Sequence, residues 1–193
     1  GVLIGNLGHL PLVRGLDFHL YGDYGLNVFN SRSLAYLKDK ELESACVSFE
    51  LRFAQIRDLK KVLRAEAIVY GRLPLMITEN CLVQNETGCR LDRQGLCVPE
   101  DGPCRCGQPN VLVDRTGAAF PLLPAYGHRT EIQNSKPLYL ADRPEHRRLG
   151  LAYARLRFTT ETAEECVSVV QNYLDAAPAA GDFTRGLYER GVE

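Results

Sequence analysis

The sequence predicts an α/β fold built on a parallel sheet. Over the first 70 residues, short apolar runs of strand character recur about every 20 positions, with helical patterns between them. That alternation stops once, for about 80 residues that hold five of the seven cysteines, and resumes near the end. The reading is therefore of βα units carrying one long insert.

Taken in order, "VLIGN" is a strand and "LGHLPLVRG" a turn-rich connection. "FHLYGDYGLNVFN" holds strand material at Phe18 to Tyr21 and again at Leu26 to Phe29. Ser31 is placed to cap the helix "RSLAYLKDK". "ACVSFE" is the next strand, and "RFAQIRDLKKVLR" a helix with Phe53, Ile56, Leu59 and Leu63 near one face. "EAIVYGR" closes the first block as a strand, so residues 1–71 read as βα units. Residues 72–150 form the cysteine-containing insert lobe, and residues 151–193 a final βα unit with a C-terminal tail. The insert leaves from the C-terminal end of the "AIVY" strand, the end where parallel α/β proteins build their sites. Inside it, "DRTGAAFPLLP" and "NSKPLYLAD" suggest short strands and turns, with a hairpin between Val113 and Phe120. "YARLRFT" is a further strand, and Thr162 with Glu165 a capping box opening "AEECVSVVQNYLD".

Composition narrows the function classes. The 193 residues are 45% hydrophobic and 24% charged with net charge −1, which suits a globular domain with a real core. So even a balance gives no broad nucleic-acid face, although it leaves room for a local basic patch. No apolar run approaches the ~18 residues of a membrane span, and the first residues lack the charged and apolar regions of a signal peptide. The chain opens on glycine inside a strand-like segment, so it is expected to be a piece of a larger protein. Seven cysteines, an odd number without a secretion signal, point to a reducing, cytoplasmic setting in which clustered thiolates serve metal binding or catalysis. The isolated Cys46 and Cys166 fit buried apolar positions.

Cys81, Cys89, Cys97, Cys104 and Cys106 are separated by seven, seven, six and one residues. Paired Cys-x-x-Cys knuckles, the usual mark of zinc, are missing from that pattern. Iron–sulfur clusters take thiolates from separate loops and tolerate irregular spacing. Spacing alone favours metal without choosing one.

"EAIVYGRLPLMITENC", Cys89, "CGQPN", "DRTGAAFP" and "NSKPLYL", in that order, resemble the peptidase U32 family. Its Glu-x-Phe-x-His-Gly strand end falls on Glu66, Tyr70 and Gly71, with Tyr70 where histidine is usual. Its Cys-Ala-Gln-Pro-Cys element is echoed by Cys106 to Asn110, its asparagine-serine-lysine segment by Asn134, Ser135 and Lys136, and the end of its core by "FTRGLYERG". The resemblance implies a TIM-like (β/α) barrel of which this chain holds the second half. The missing N-terminal half, or a partner subunit, would then cover the open sheet. It also implies a [4Fe–4S] cluster, with Cys81, Cys89 and Cys106 on the family's ligand positions. The fourth family ligand falls where this chain has Tyr139, which leaves Cys104 as its substitute and Cys97 in reserve. "ARLRFTTE" lacks the Glu-Gly-Arg element of many members.

Two chemistries attach to the family. One is iron–sulfur-dependent hydroxylation in quinone synthesis or RNA modification; the other is collagenase-like proteolysis. A non-catalytic accessory subunit is the third reading, and the substrates to weigh are RNA and peptide. The sequence has no His-Glu-x-x-His helix and no Gly-x-Ser-x-Gly elbow. A cysteine protease using Cys81 would need a histidine base, and His128 and His146 read as surface residues. Ser48 precedes Glu50 at a strand end with no histidine beside it. Polar groups at strand ends are Asn6, Asn27, Asn30, Glu50, Arg72 and Glu79; of these Glu50, Arg72 and Glu79 are the candidate catalytic set. Arg72 has the fork geometry to hold a carboxylate or phosphate.

Overall fold

The structure, a computed structural model, describes residues 1–92, 97–98 and 104–191. In chain order the strands are β1 (Val2–Ile4), β2 (Leu20–Gly22), β3 (Ser44–Cys46), β4 (Arg64–Gly71), β5 (Pro74–Thr78), β6 (Arg90–Leu91), β7 (Cys97–Val98), β8 (Asn110–Val113), β9 (Ala119–Ala125), β10 (Arg129–Gln133), β11 (Leu138–Tyr139) and β12 (Tyr153–Leu156). The α-helices are α1 (Leu10–Val13), α2 (Ser31–Asp39), α3 (Phe53–Asp58), α4 (Leu82–Thr87) and α5 (Ala163–Asp175). Two compact units result: the first holds Gly1–Gly71, Leu138–Arg157 and the chain from Ala163 on, the second Arg72–Pro137 and Phe158–Thr162.

The first unit is built on the expected parallel sheet. β1, β2, β3 and β4 lie side by side, all parallel, with Ala45 opposite Ala65 across the β3–β4 pair. β12 joins β4 in parallel, Arg155 opposite Ile68, and β11 runs antiparallel along the last residues of β4. β4 is buried from Ala67 to Gly71 and reads "AIVYG", the near-continuous apolar run of a strand covered on both faces. Helix α2 contributes Leu34 and Leu37 to the core and α3 contributes Ile56. Tyr188 is fully buried, and its hydroxyl donates to the Ile68 carbonyl at 2.6 Å. Gly71 ends β4 at φ +119°, where an added Cβ would lie 2.0 Å from the Arg157 carbonyl oxygen, so only glycine admits that approach.

Several local expectations need correction. Leu26 to Phe29 is not a strand: Tyr24–Leu26 is a 3-10 turn, Asn27 is left-handed at φ 48°, and Val28 makes a single bridge to Val47. Asn27 supports that conformation because a short polar side chain lowers its cost. "LGHLPLVRG" is helical over Leu7–His9 and Leu10–Val13 rather than a plain turn. The cap of α2 is Asn30, one residue before Ser31, its Oδ1 accepting from the Ser33 amide at 3.0 Å. α3 stops at Asp58, since Leu59 is extended at ψ 129° and the Lys61 ammonium donates to the Ile56 carbonyl at 2.6 Å. Leu59 and Leu63 therefore lie outside the helix.

The second unit is mostly antiparallel. β5, β10, β9 and β8 form one sheet in that order, and β6 pairs with β7. The expected hairpin forms between β8 and β9, with Val113 opposite Ala119. The Asp114 carboxylate closes it by accepting from the Thr116 amide at 2.8 Å and the Ala118 amide at 3.0 Å. The buried cluster consists of Cys81, Val83, Leu122 and Ile132, with Leu82, Cys106 and Phe120 packed against it. Both edge strands leave apolar side chains exposed: Leu75, Met76 and Ile77 on β5, and Val111, Leu112 and Val113 on β8.

Candidate metal centre

Every cysteine of the insert lies in the second unit, and local chemistry sets each one. Cys81 is the N-cap residue of α4, where the Thr130 hydroxyl accepts from the Leu82 amide at 3.0 Å. Gly88 ends α4 in the left-handed conformation at φ 72°, as a helix C-terminus commonly does, and the reversal delivers Cys89. Cys89 leads into β6, and Cys97 sits opposite Leu91 in the β6–β7 pair. Cys104 and Cys106 flank Arg105 in a 3-10 turn at Arg105–Gly107. The Asn110 amide pins that turn, donating to the carbonyls of Arg105 at 2.9 Å and Gln108 at 2.7 Å.

These placements bring thiols together. The sulfurs of Cys89, Cys97 and Cys104 all lie within 4.8 Å of one another. Cys104 Sγ is 3.2 Å from Cys97 Sγ and 2.9 Å from Cys106 Sγ, and Cys89 Sγ is 3.2 Å from the Thr87 hydroxyl. All seven cysteines are free thiols; Cys89, Cys97, Cys104 and Cys106 are half-buried and Cys81 is buried.

The grouping polarises the thiols. Hydrogen bonding with Cys106, and then with Cys97, holds the Cys104 thiol below its ordinary range. Cys97 and Cys106 are each pushed up to about 12, chiefly by hydrogen bonding with Cys104 and secondarily through burial. Loading a metal onto these thiols must release the protons they carry. Soft sulfur donors in this number suit zinc or an iron–sulfur cluster. A single tetrahedral ion with metal–sulfur bonds of about 2.3 Å sets sulfurs about 3.8 Å apart. A four-iron cubane needs about 6–7 Å, so these sulfurs would have to spread to hold one.

The other candidates fall in separate settings. Glu50 lies in the first unit, half-buried in the turn after β3, its amide donating to Ser48 Oγ at 3.3 Å. Arg72 belongs to the second unit, where its guanidinium donates to the carbonyls of Asn134, at 3.0 Å, and Ser135. Glu79 is exposed and paired with Arg129 at 3.5 Å. Asn6 and Asn30 act as helix caps. His128 occupies the turn between β9 and β10, half-buried. His146 is not a surface residue: it is 6% exposed, its ring lies 6.2 Å from that of Tyr173, and Nδ1 meets the Arg143 carbonyl. Burial lowers its pKa, because the imidazolium loses its water. Cys46 is fully buried as expected, whereas Cys166 on α5 is half-buried. Tyr70 and Tyr139, the two departures from the resembled pattern, are direct partners across the β4–β11 pair, their rings 6.4 Å apart and edge-on.

Sequence reasoning missed an ion-pair layer in the first unit. The Arg155 guanidinium bridges the carboxylates of Asp23, just past β2, and Glu66 on β4. Burial pushes the Glu66 carboxyl up against the pull of Arg155. The signal was present in Arg155 at the middle of "YARLR" and Glu66 at the head of "EAIVY", since a partly buried charge in a strand must be paired.

No helix among the described residues is long and apolar enough to cross a membrane. No curated protein matches the chain, and neither does any solved structure. The family model for peptidase family U32 matches residues 2–114, which takes in the parallel strands β1 to β4 and all five insert cysteines. That match spans more than half of the 193 residues, and the chain belongs to peptidase family U32.

Proposed function

We propose that this protein is an iron–sulfur-dependent U32 enzyme of the hydroxylation type, acting in RNA or quinone modification in the cytoplasm. The observation that carries the reading is the convergence of Cys89, Cys97 and Cys104 within 4.8 Å, with Cys106 beside Cys104. Those four, spreading from their present separations to about 6–7 Å, would hold a [4Fe–4S] cluster, and Cys81, packed in the same core as Cys106, is the alternative fourth ligand. Bound there, the cluster would supply one-electron redox chemistry, its potential set by thiolate ligation and local polarity. The chain's own contribution is positional. Gly88, Thr87 and the Asn110-pinned turn hold the thiols at fixed places. Leu82, Leu122 and Phe120 pack in one apolar cluster with Cys81 and Cys106. Glu50 in the first unit and, separately, Arg72 and Glu79 in the second remain candidate contacts for a polar substrate, each taken within its own unit.

We read β1, β2, β3, β4 and β12 as a run of strands from a TIM-like (β/α) barrel, to be completed by further strands of this protein or of a partner. Collagenase-like proteolysis is the competing chemistry, but His146, one of its candidate bases, is committed to the Arg143 carbonyl.

Anaerobic reconstitution with ferrous iron and sulfide tests the proposal. The expected result is a brown protein with visible charge-transfer absorption and about four irons and four sulfides per chain. One zinc per chain without sulfide would replace the cluster by a structural ion. Gelatin cleavage that survives iron removal would favour the peptidase.

A further inference from the structure

We propose that Cys97 and Cys104 form a thiol pair that a hydroperoxide converts to a disulfide, taking two sulfurs away from the metal centre. Their sulfurs are 3.2 Å apart as free thiols, against a bond of about 2.05 Å, so closure needs a shift of little more than an ångström. Both residues are half-buried, so a small peroxide reaches them, whereas Cys46 and Cys81 are buried. Cys104 is the sulfur with a neighbour on either side, Cys97 at 3.2 Å and Cys106 at 2.9 Å. Cys106 is nearer, but only one residue separates it from Cys104. A bond there would close a strained eleven-membered ring, a constraint absent from Cys97 and Cys104, which six residues separate in sequence.

The chemistry balances with the peroxide as two-electron oxidant. Cys104 sulfur attacks the O–O bond, which breaks to leave a sulfenic acid on Cys104 and release water or an alcohol. Cys97 sulfur then attacks the sulfenic sulfur. The S–O bond breaks, a second water departs with the Cys97 proton, and the disulfide remains. Two thiols have lost two electrons, and dithiothreitol restores them by exchange.

The consequence for metal rests on the proposed function: a chain carrying this bond offers Cys89 and Cys106 but neither Cys97 nor Cys104 as thiolates. The experiment uses the reduced, chelator-treated chain and one equivalent of hydrogen peroxide, followed by alkylation, proteolysis and mass spectrometry. Expected are the loss of two free thiols, a cross-linked peptide pair carrying Cys97 and Cys104, an alkylated Cys46, and recovery with dithiothreitol. In Cys97→Ser the loss should stop at one thiol, trapped on Cys104 as a dimedone adduct. A Cys104–Cys106 link, or sulfinic acid on Cys104 with Cys97 still reduced, would overturn the pair. Zinc and iron uptake by the reduced and oxidised chains is measured alongside, with at least a tenfold drop expected on oxidation. Failure of the reduced chain to bind either metal counts against the proposed function, while the cross-link alone decides the thiol pair.

Discussion

The first unit buries Ile4, Val28, Leu34, Val47, Leu51, Ile56, Ile68, Val69, Leu138 and Leu140 almost completely, spread over strands, helices and connections. The second buries the cluster of Cys81, Val83, Leu122 and Ile132, and leaves three apolar side chains exposed on each edge of its sheet. Burial at about 25 cal/mol per Å² can hold the first together, and its charged groups are paired inside it as Arg155 is with Asp23 and Glu66. A core as small as the second one is marginal alone, and such units are commonly completed by a metal or cross-link. The contrast teaches where a metal held by the close cysteines would act on stability: in the unit with the smaller core.

The largest effect should come from the thiols. Cys104→Ser removes the sulfur that contacts both Cys97 and Cys106, and metal affinity should fall at least a hundredfold. Hydrogen exchange should quicken in β8, β9 and β10 and stay slow in β4, while Cys46→Ser leaves metal content unchanged. Equal loosening of both units would end the comparison.

Next comes the ion-pair layer. Arg155→Leu strands two partly buried carboxylates and should cost about 3–5 kcal/mol in urea unfolding of the first unit. The double change Arg155→Leu with Glu66→Leu should recover part of that loss. If the single change is neutral, the layer is solvated and the first unit rests on apolar packing alone.

Ile132→Ala deletes one of the four members of the small core and should cost about 2–4 kcal/mol in the chelated chain. Metal should restore most of the lost protection, which separates a weak core from a misfolded one.

His146 gives a smaller, pH-dependent effect. Its folded pKa lies below the ordinary value, so the unfolded chain binds the proton more readily. The neutral ring's contribution is whole above about pH 6.5 and is lost as pH falls through the folded pKa, with a slope of at most about 1.4 kcal/mol per pH unit. Urea midpoints between pH 7.5 and 5 should fall more steeply for the wild type than for His146→Phe. The smallest change is Asn30→Ala, which removes the α2 cap bond to Ser33 and should cost about 1 kcal/mol.

The parallel sheet was legible because β1, β2, β3 and β4 recur about every 20 residues, and β4 carries the near-continuous apolar run that burial on both faces leaves on composition. Where propensity met local side-chain chemistry the sequence misled. Asn27 turned an apparent strand into a left-handed corner, and Lys61 ended α3 at carbonyls that a longer helix would have used internally. The cysteine cluster was visible as a group, but not its membership. Cys97 joins Cys89 and Cys104 through the β6–β7 pairing, and Cys81 turns into the apolar core. Spacing along the chain carries no record of either event. The Arg155 layer was hidden for the same reason, since its three members are brought together only by the order of the strands.

That order also sets a timetable. Glu66 meets Arg155 across 89 positions, and the Ile68 carbonyl meets the Tyr188 hydroxyl across 120, so β4 waits for residues made long after it. β5 to β10 lie within one uninterrupted stretch between those partners and need nothing from beyond it to pair among themselves. Distant contacts form slowly because the loop must be closed before they reward it. On a ribosome, or after dilution from urea, the second unit should therefore gain exchange protection first. β4 would meanwhile be an apolar strand with one side open, the species most in need of a chaperone while synthesis continues.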